Sequence, residues 1–291
     1  MRISVRIAII GALALSAVAA VPVEAKTVVV GPGPGTPLQD AIDAAAPKDT
    51  ILVTPGAYPE AIVIDKPVKL RRQGSRFSVV DIDAGCGADH AIAIAADGVQ
   101  LSHLHATGGA VDAISIAGRD RVKLVGVVAV NRCGGGGIHV VAATRVVLSN
   151  VTVDAGVGVG ATLRDLSAGA GVRVSGLEGM GSTVGGNTHV LLIENVQPGA
   201  AIISRCTLSH ADVAVLGLRN SDGVRIQRCF VANGSVGVAA DSASEDDVVA
   251  SSSFAGNVVD VVDDGTSNCW RRNVGSGGAP PSGNGSTAGC P

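Results

Sequence analysis

Aromatic residues are nearly absent from this chain of 291 residues, making up 2% of it. Sugar-binding surfaces often rest on exposed aromatic faces, and only Tyr58, Phe77, Phe230, Phe254 and Trp270 could supply one. There is no basic tract, and the formal net charge is −3, so nucleic-acid binding has no electrostatic footprint. A helical period is missing from most of the chain, which excludes βαβ units with their long helical crossovers. The one long apolar run, Ile7 to Ala20, stands at the start, behind Arg2 and Arg6 and ahead of a small-residue cleavage site at Val23-Glu24-Ala25. That order describes a secretory signal over residues 1–25. Pro22 and Glu24 bound the run, so no membrane span is expected after cleavage. No Cys lies near the site to carry a lipid. The expected location is the periplasm or beyond.

What the chain does have is a repeat. Ile92-Ala93-Ile94, Ile114-Ser115-Ile116, Ile138-His139-Val140, Val213-Ala214-Val215, Val236-Gly237-Val238 and Val259-Asp260-Val261 all alternate in-out-in. They recur in steps of 22, 24, 23 and 23 residues, with one gap of 75 that holds about three more units. A second apolar phrase follows each by about ten residues, as in Val99-Gln100-Leu101 and Val122-Lys123-Leu124. Gly, Asp, Asn and Ser lie between them, the residues that turn a chain. Period-two alternation marks strands with one buried face. No single unit buries its own apolar side, so the units must stack. The fold class expected is all-β, a parallel β-helix of about nine coils.

The alignment extends to single positions. Cys206, Cys229 and Ser252 are spaced by 23, as are Leu192, Val215 and Val238, which puts Leu191-Leu192-Ile193 in the row of the first phrase. His103, Gly126, Asn150, Arg205, Arg228 and Ser251 form another column. The segment 175–187, SGLEGMGSTVGGN, reads as a Gly-rich loop protruding from one coil, either functional or merely tolerated. At the N-terminal end, Thr36-Pro37-Leu38-Gln39 reads as a capping box with Pro at the first helical position. Leu38, Ala41, Ile42 and Ala45 make one apolar stripe, and Pro47 ends it. A helix over about 37–46 would cap the first coil. The β-helix domain is expected over 26–274, and a Gly/Ser/Pro-rich tail over 275–291.

Six cysteines in an exported chain point to an oxidising compartment. Cys269 and Cys290 bracket the tail and are the expected bridge. Cys206 and Cys229 occupy one position in adjacent coils, where strands lie about 4.8 Å apart, within reach of a disulfide. A stacked pair of buried thiols fits the same spacing. Cys86 and Cys133 are about two coils apart, too far for easy pairing unless turns bring them together.

The segment from Pro37 to Glu60, PLQDAIDAAAPKDTILVTPGAYPE, resembles the opening of right-handed parallel β-helix proteins of the pectin-lyase-like superfamily. IVIDKPVKL from Ile62 to Leu70 and VVDIDAG from Val79 to Gly85 continue the resemblance. It implies a right-handed solenoid with an N-terminal capping helix, over essentially the mature chain. It implies no single activity, because the superfamily spans pectate lyases, esterases, polygalacturonases, epimerases, tailspikes and periplasmic accessory proteins. Asp263-Asp264 is present, but the Gly-His-Gly and Arg-Ile-Lys pieces of a polygalacturonase are not; the pair reads as a solvated turn. The Asp-Pro-His-Asp of alginate epimerases is absent, and no esterase column of two aspartates and an arginine is found.

Other chemistry must come from scattered residues. Pectate-lyase chemistry needs Ca²⁺ on clustered carboxylates and an Arg or Lys base. Asp81, Asp83 and Asp89 are the densest early acidic group, with Asp81 and Asp83 on one strand face; with no third and fourth ligand visible, they read first as turn and end-of-strand aspartates bonded to their own backbone. His103 and His105, at i and i+2, would share a strand face as a metal pair lacking a third ligand; His139 projects outward from the next coil but one. Arg205 and Arg228 would stack about 5 Å apart, unfavourably unless an anion such as a uronate lies between them or the side chains splay into water. Beyond a candidate Ca²⁺ no cofactor is evident. The leading expectation is a non-catalytic β-helix that binds or scaffolds an extracellular or envelope polysaccharide. The alternatives are a polysaccharide lyase or hydrolase using Arg205, Arg228, His139, Asp81 and Asp83, and a structural protein with no sugar ligand.

Overall fold

The computed structural model describes residues 24–75, 77–154, 156–181, 189–275 and 282–283. Residues 1–23 of the expected signal, most of the tail and the end of the Gly-rich segment lie outside the described residues.

Each coil supplies three short strands to three parallel columns. The first column is an eleven-stranded sheet, from Thr27–Val30 to Cys269–Arg271. The second and third merge into one eighteen-stranded sheet through the long strands Thr207–Ser221 and Phe230–Ala240. Eleven strands make about ten turns, one more than the apolar phrases alone indicate. Equivalent residues stack in register: Ile92 on Ile114 on Ile138, with Ala93, Ser115 and His139 between them facing out. The inward residues are fully buried. Each buried Ile or Leu contributes about 1.5–3 kcal/mol relative to exposure, so the stacked rows are the core.

Three local features depart from the spacing arguments. The helix spans Pro37–Ala44, with Leu38 and Ile42 buried against the first strands. Thr36 makes no side-chain cap; the buried Glu60 carboxylate accepts instead from the Leu38 and Gln39 amides at 3.0 and 2.9 Å. Gln39 cannot reach back to complete a capping box, because its amide is bonded to both backbone groups of Val63. A bulge between Ala211 and Ala214 shifts the expected register. Leu216, not Val215, stands opposite Val238 and Leu191, and Val213 is pushed outward. The Gly-rich segment is regular at its start, where Gly176 turns the chain into the strand Glu178–Met180.

Two disulfides tie coils together, one between neighbours and one across an intervening coil. Cys206 and Cys229 are bonded, with Cα atoms 4.5 Å apart. Cys86 and Cys133 are also bonded, at 5.5 Å, so the turns do bring together two residues that lie two coils apart. The reason is the coil between. There the chain passes through Gly108 and Gly109, at φ 89° and 90°, and a Cβ on Gly108 would strike the backbone of Gly85. With no side chain in the way, the outer loops close over it. Cys269 is disulfide-bonded as well, while Cys290 lies outside the described residues. Among the described residues no helix is long and apolar enough to cross a membrane.

Candidate functional site

The column of His103, Gly126, Asn150, Arg205, Arg228 and Ser251 is real, but it is a bend rather than a strand position. All six residues have φ between 51° and 60°, the left-handed turn that joins the first strand of each coil to the second. Gly and Asn accept that conformation readily, whereas other residues hold it at a cost of about 1–2 kcal/mol. Arg205 and Arg228 are exposed there on adjacent coils. At one coil spacing, two like charges in water repel by about 0.9 kcal/mol.

Around these two arginines the surface forms a groove of about 380 Å³, lined by Arg205, Thr207, Arg228, Phe230, Ser251 and Ser253. Its floor is the Cys206–Cys229 bond, both residues buried, which fixes the spacing of the two bends. Phe230 stands between Thr207 and Ser253 in the second column and is 42% exposed. Two guanidinium groups, hydroxyls and a phenyl ring in one hollow can hold a carboxylate together with the apolar face of a sugar.

The other residues picked out in the sequence are more scattered. Asp81 and Asp83 share one face of the strand Val80–Asp83. Asp81 accepts from Thr107 Oγ1 at 2.8 Å, and Asp83 accepts from the Gly85 amide at 2.9 Å. Asp89 is exposed on the following loop. His105 lies opposite Asp81, and burial pushes its imidazole below the usual range, against the pull of that carboxylate. His103 does not share its strand face, since the bend turns it away. Among the described residues no three His, Cys, Asp or Glu side chains gather closely enough to hold a metal ion.

His139 has a partner that the sequence reading missed. Its Nδ1 lies 3.3 Å from Oδ2 of Asp112, and His90 Nδ1 approaches the same oxygen at 3.8 Å. These residues sit on successive strands of the third column. Asp112 is only 6% exposed, and a Cβ on Gly136 would meet its carboxylate at 2.5 Å. Asn131 steadies the loop alongside, donating to the carbonyls of Gly109 and Gly136 and accepting from the Cys133 and Gly135 amides. A carboxylate that orients an imidazole is half of a general-base arrangement. His139 Nε2 is enclosed, with no hydrogen-bond partner. His90 and Asp112 open equivalent apolar phrases 22 residues apart, a signal that alignment of the phrases could have exposed.

Asp263 is a further correction. It is not a solvated turn residue but fully buried, accepting from Trp270 Nε1 at 2.6 Å, from Asn268 and from the Gly265 amide. Nearby Asp247 accepts from Ser221 and Val224, and burial pushes its carboxyl up to about 7. Burial, with Arg219 adding to it, lowers the His189 imidazole to about 4.

No family model and no curated protein matches the chain. Among solved structures it is similar to pectate lyase Pel9A, with a TM-score of 0.57 and 12% identity over 90% of this chain and 80% of that one. It is similar to an alginate lyase from Paenibacillus sp. str. FPU-7, at 0.57 and 13% over 89% and 98%. A third is tailspike protein 2 of Escherichia coli O157:H7 bacteriophage CAB120, at 0.55 and 12% over 87% of this chain and 40% of that one. At such identities the shared feature is the fold: this molecule is a right-handed parallel β-helix.

Proposed function

We propose that this chain is an exported β-helix that binds an acidic polysaccharide through the Arg205–Arg228 groove, without cleaving it. One observation carries the reading: two exposed arginines at one coil spacing share a hollow with Phe230 and three hydroxyl residues. Neither arginine has an ion-pair partner among the described residues, so a ligand carboxylate would relieve their repulsion. In this reading residues 1–25 are removed on export, and the bonded cysteines fit an oxidising compartment. The helix Pro37–Ala44 caps the first coil. The ligand class agrees with the pectate and alginate lyases among the similar structures.

The test is calorimetric titration of the mature protein with oligogalacturonates and oligomannuronates, with Ca²⁺ and with chelator. Binding that disappears in Arg205→Gln/Arg228→Gln supports the groove; wild-type protein that binds neither series defeats it. The same samples, read by mass spectrometry for new chain ends, address a second reading. Asp112 and His139 form an oriented pair on the third column, and cleavage abolished by His139→Gln would make that pair catalytic. Calcium-dependent cleavage would return attention to Asp81, Asp83 and Asp89.

A further inference from the structure

Carboxylates are segregated among the three columns. The eleven strands of the first column contain Lys69, Arg71, Arg72, Lys123, Arg173, Arg225 and Arg271, and no Asp or Glu. The other columns carry the strand carboxylates, among them Asp81, Asp112, Asp154 and Glu178. A chain with a net charge of −3 thus presents one cationic sheet face.

The cations on that face are also spaced. Following the register outward residue by outward residue, Lys69 lies beside Gln100, then Lys123, Val147, Arg173, Ile202 and Arg225. A cation stands on every second coil, at a repeat of about 9.6 Å. All four cations are exposed, and none has an ion-pair partner among the described residues. Elsewhere the fold does neutralise its arginines: at the neighbouring bend Asp120 pairs with both Arg121 and Arg145. Between the cations lie an amide and two aliphatic side chains, so the strip is partly apolar; at its Lys69–Gln100 end it borders a hollow of about 760 Å³ that Asp65 and Asp97 also line. The strands Ala201–Ser204 and Arg225–Gln227 run directly into Arg205 and Arg228, so the strip borders the groove.

We infer that a linear carboxylated polysaccharide lies along this face, parallel to the solenoid axis, with one acid group meeting each cation on alternate coils. The inference rests on the groove reading above and extends it to a long footprint on a different face. In a polymer whose successive sugars are turned by half a rotation, acid groups on one side recur every second sugar, a repeat on the scale of a disaccharide. Aliphatic side chains between the cations suit the apolar edges of sugar rings. A single-stranded nucleic acid would want aromatic platforms for its bases, and no aromatic residue faces out from these strands among the described residues; Trp270 points inward and is buried.

The experiment compares oligomannuronates of defined length on three proteins. These are wild type, the groove variant Arg205→Gln/Arg228→Gln, and the strip variant Lys69→Gln/Lys123→Gln/Arg173→Gln/Arg225→Gln. All six sites are exposed, and circular dichroism confirms folding. Disaccharides and trisaccharides should bind wild type and the strip variant alike and fail on the groove variant. Chains long enough to span Lys69 to Arg225, about 29 Å, should bind wild type more tightly. Each single Gln should weaken those chains roughly twofold to fivefold. Equal long-chain affinity for wild type and the strip variant overturns the strip and leaves the groove standing; no wild-type binding at any length overturns the groove reading itself. Val147→Lys tests the repeat, because a gain as large as the contribution of Lys123 would mean that the spacing is not read. Polyphosphate or single-stranded DNA binding as tightly as the uronate would reduce the face to a general counterion surface, and that also overturns the inference.

Discussion

At the scale of single residues, backbone conformation and function compete in the bend column. Arg205 holds a positive φ of 53° that Asn adopts more easily. Arg205→Asn should therefore raise stability by about 0.5–1 kcal/mol in denaturant titration while weakening oligouronate binding. If it lowers stability, the arginine is a structural residue and the bend argument fails. Asp247 and His189 respond to pH in opposite directions. The Asp247 pKa is raised by burial from 3.8 to about 7, so its stabilising contribution is complete below about pH 4 and is lost as pH rises through 7. That gap corresponds to at most roughly 4 kcal/mol. His189, lowered from 6.5 to about 4, contributes stability that is present above about pH 6.5 and lost as pH falls through 4. Denaturation midpoints across pH 4–8 should show Asp247→Asn free of the decline toward pH 7 that the wild type suffers. An unchanged slope would mean that the carboxyl is already ionised in the fold.

At the scale of elements, the period-two phrases were enough to read the strands, because an inward residue two positions along a strand must be apolar whatever its neighbours do. The joints were less legible. A spacing of 23 placed Val215 opposite Val238, and only the bulge after Ala211 reveals Leu216 there. Glu60 caps a helix that starts 23 residues earlier in the chain, and nothing local to Thr36 announces it. The Asp112–His139 contact joins residues 27 apart and depends on the missing side chain of Gly136. The Cys86–Cys133 bridge depends in the same way on Gly108 and Gly109. Its separation of 47 residues implies about 4 kcal/mol of chain-entropy stabilisation, so Cys86→Ser/Cys133→Ser should lose stability of that order. A loss below about 1 kcal/mol would show that the loops are held by Asn131 alone. Glu60→Ala should cost about 1–2 kcal/mol and lower the melting temperature; no change would mean that water replaces the cap.

At the scale of the whole molecule, stability is carried by contacts between neighbouring coils. Leu101, Leu124 and Leu148 stack in one inward row. Leu124→Ala should cost about 2–5 kcal/mol and speed amide exchange in the coils on both sides of it, leaving distant coils protected. Uniform loss of protection would instead mean that the solenoid unfolds as one block. The carboxylate-free first column has a consequence that reaches past any one ligand contact. A rod whose broad sides differ in charge carries an electric dipole across its long axis, whatever its total charge. If the inferred strip meets an anionic matrix, that dipole would turn the rod before contact, with Lys69, Lys123, Arg173 and Arg225 toward the matrix and the third column, with Asp112 and His139, on another side of the rod.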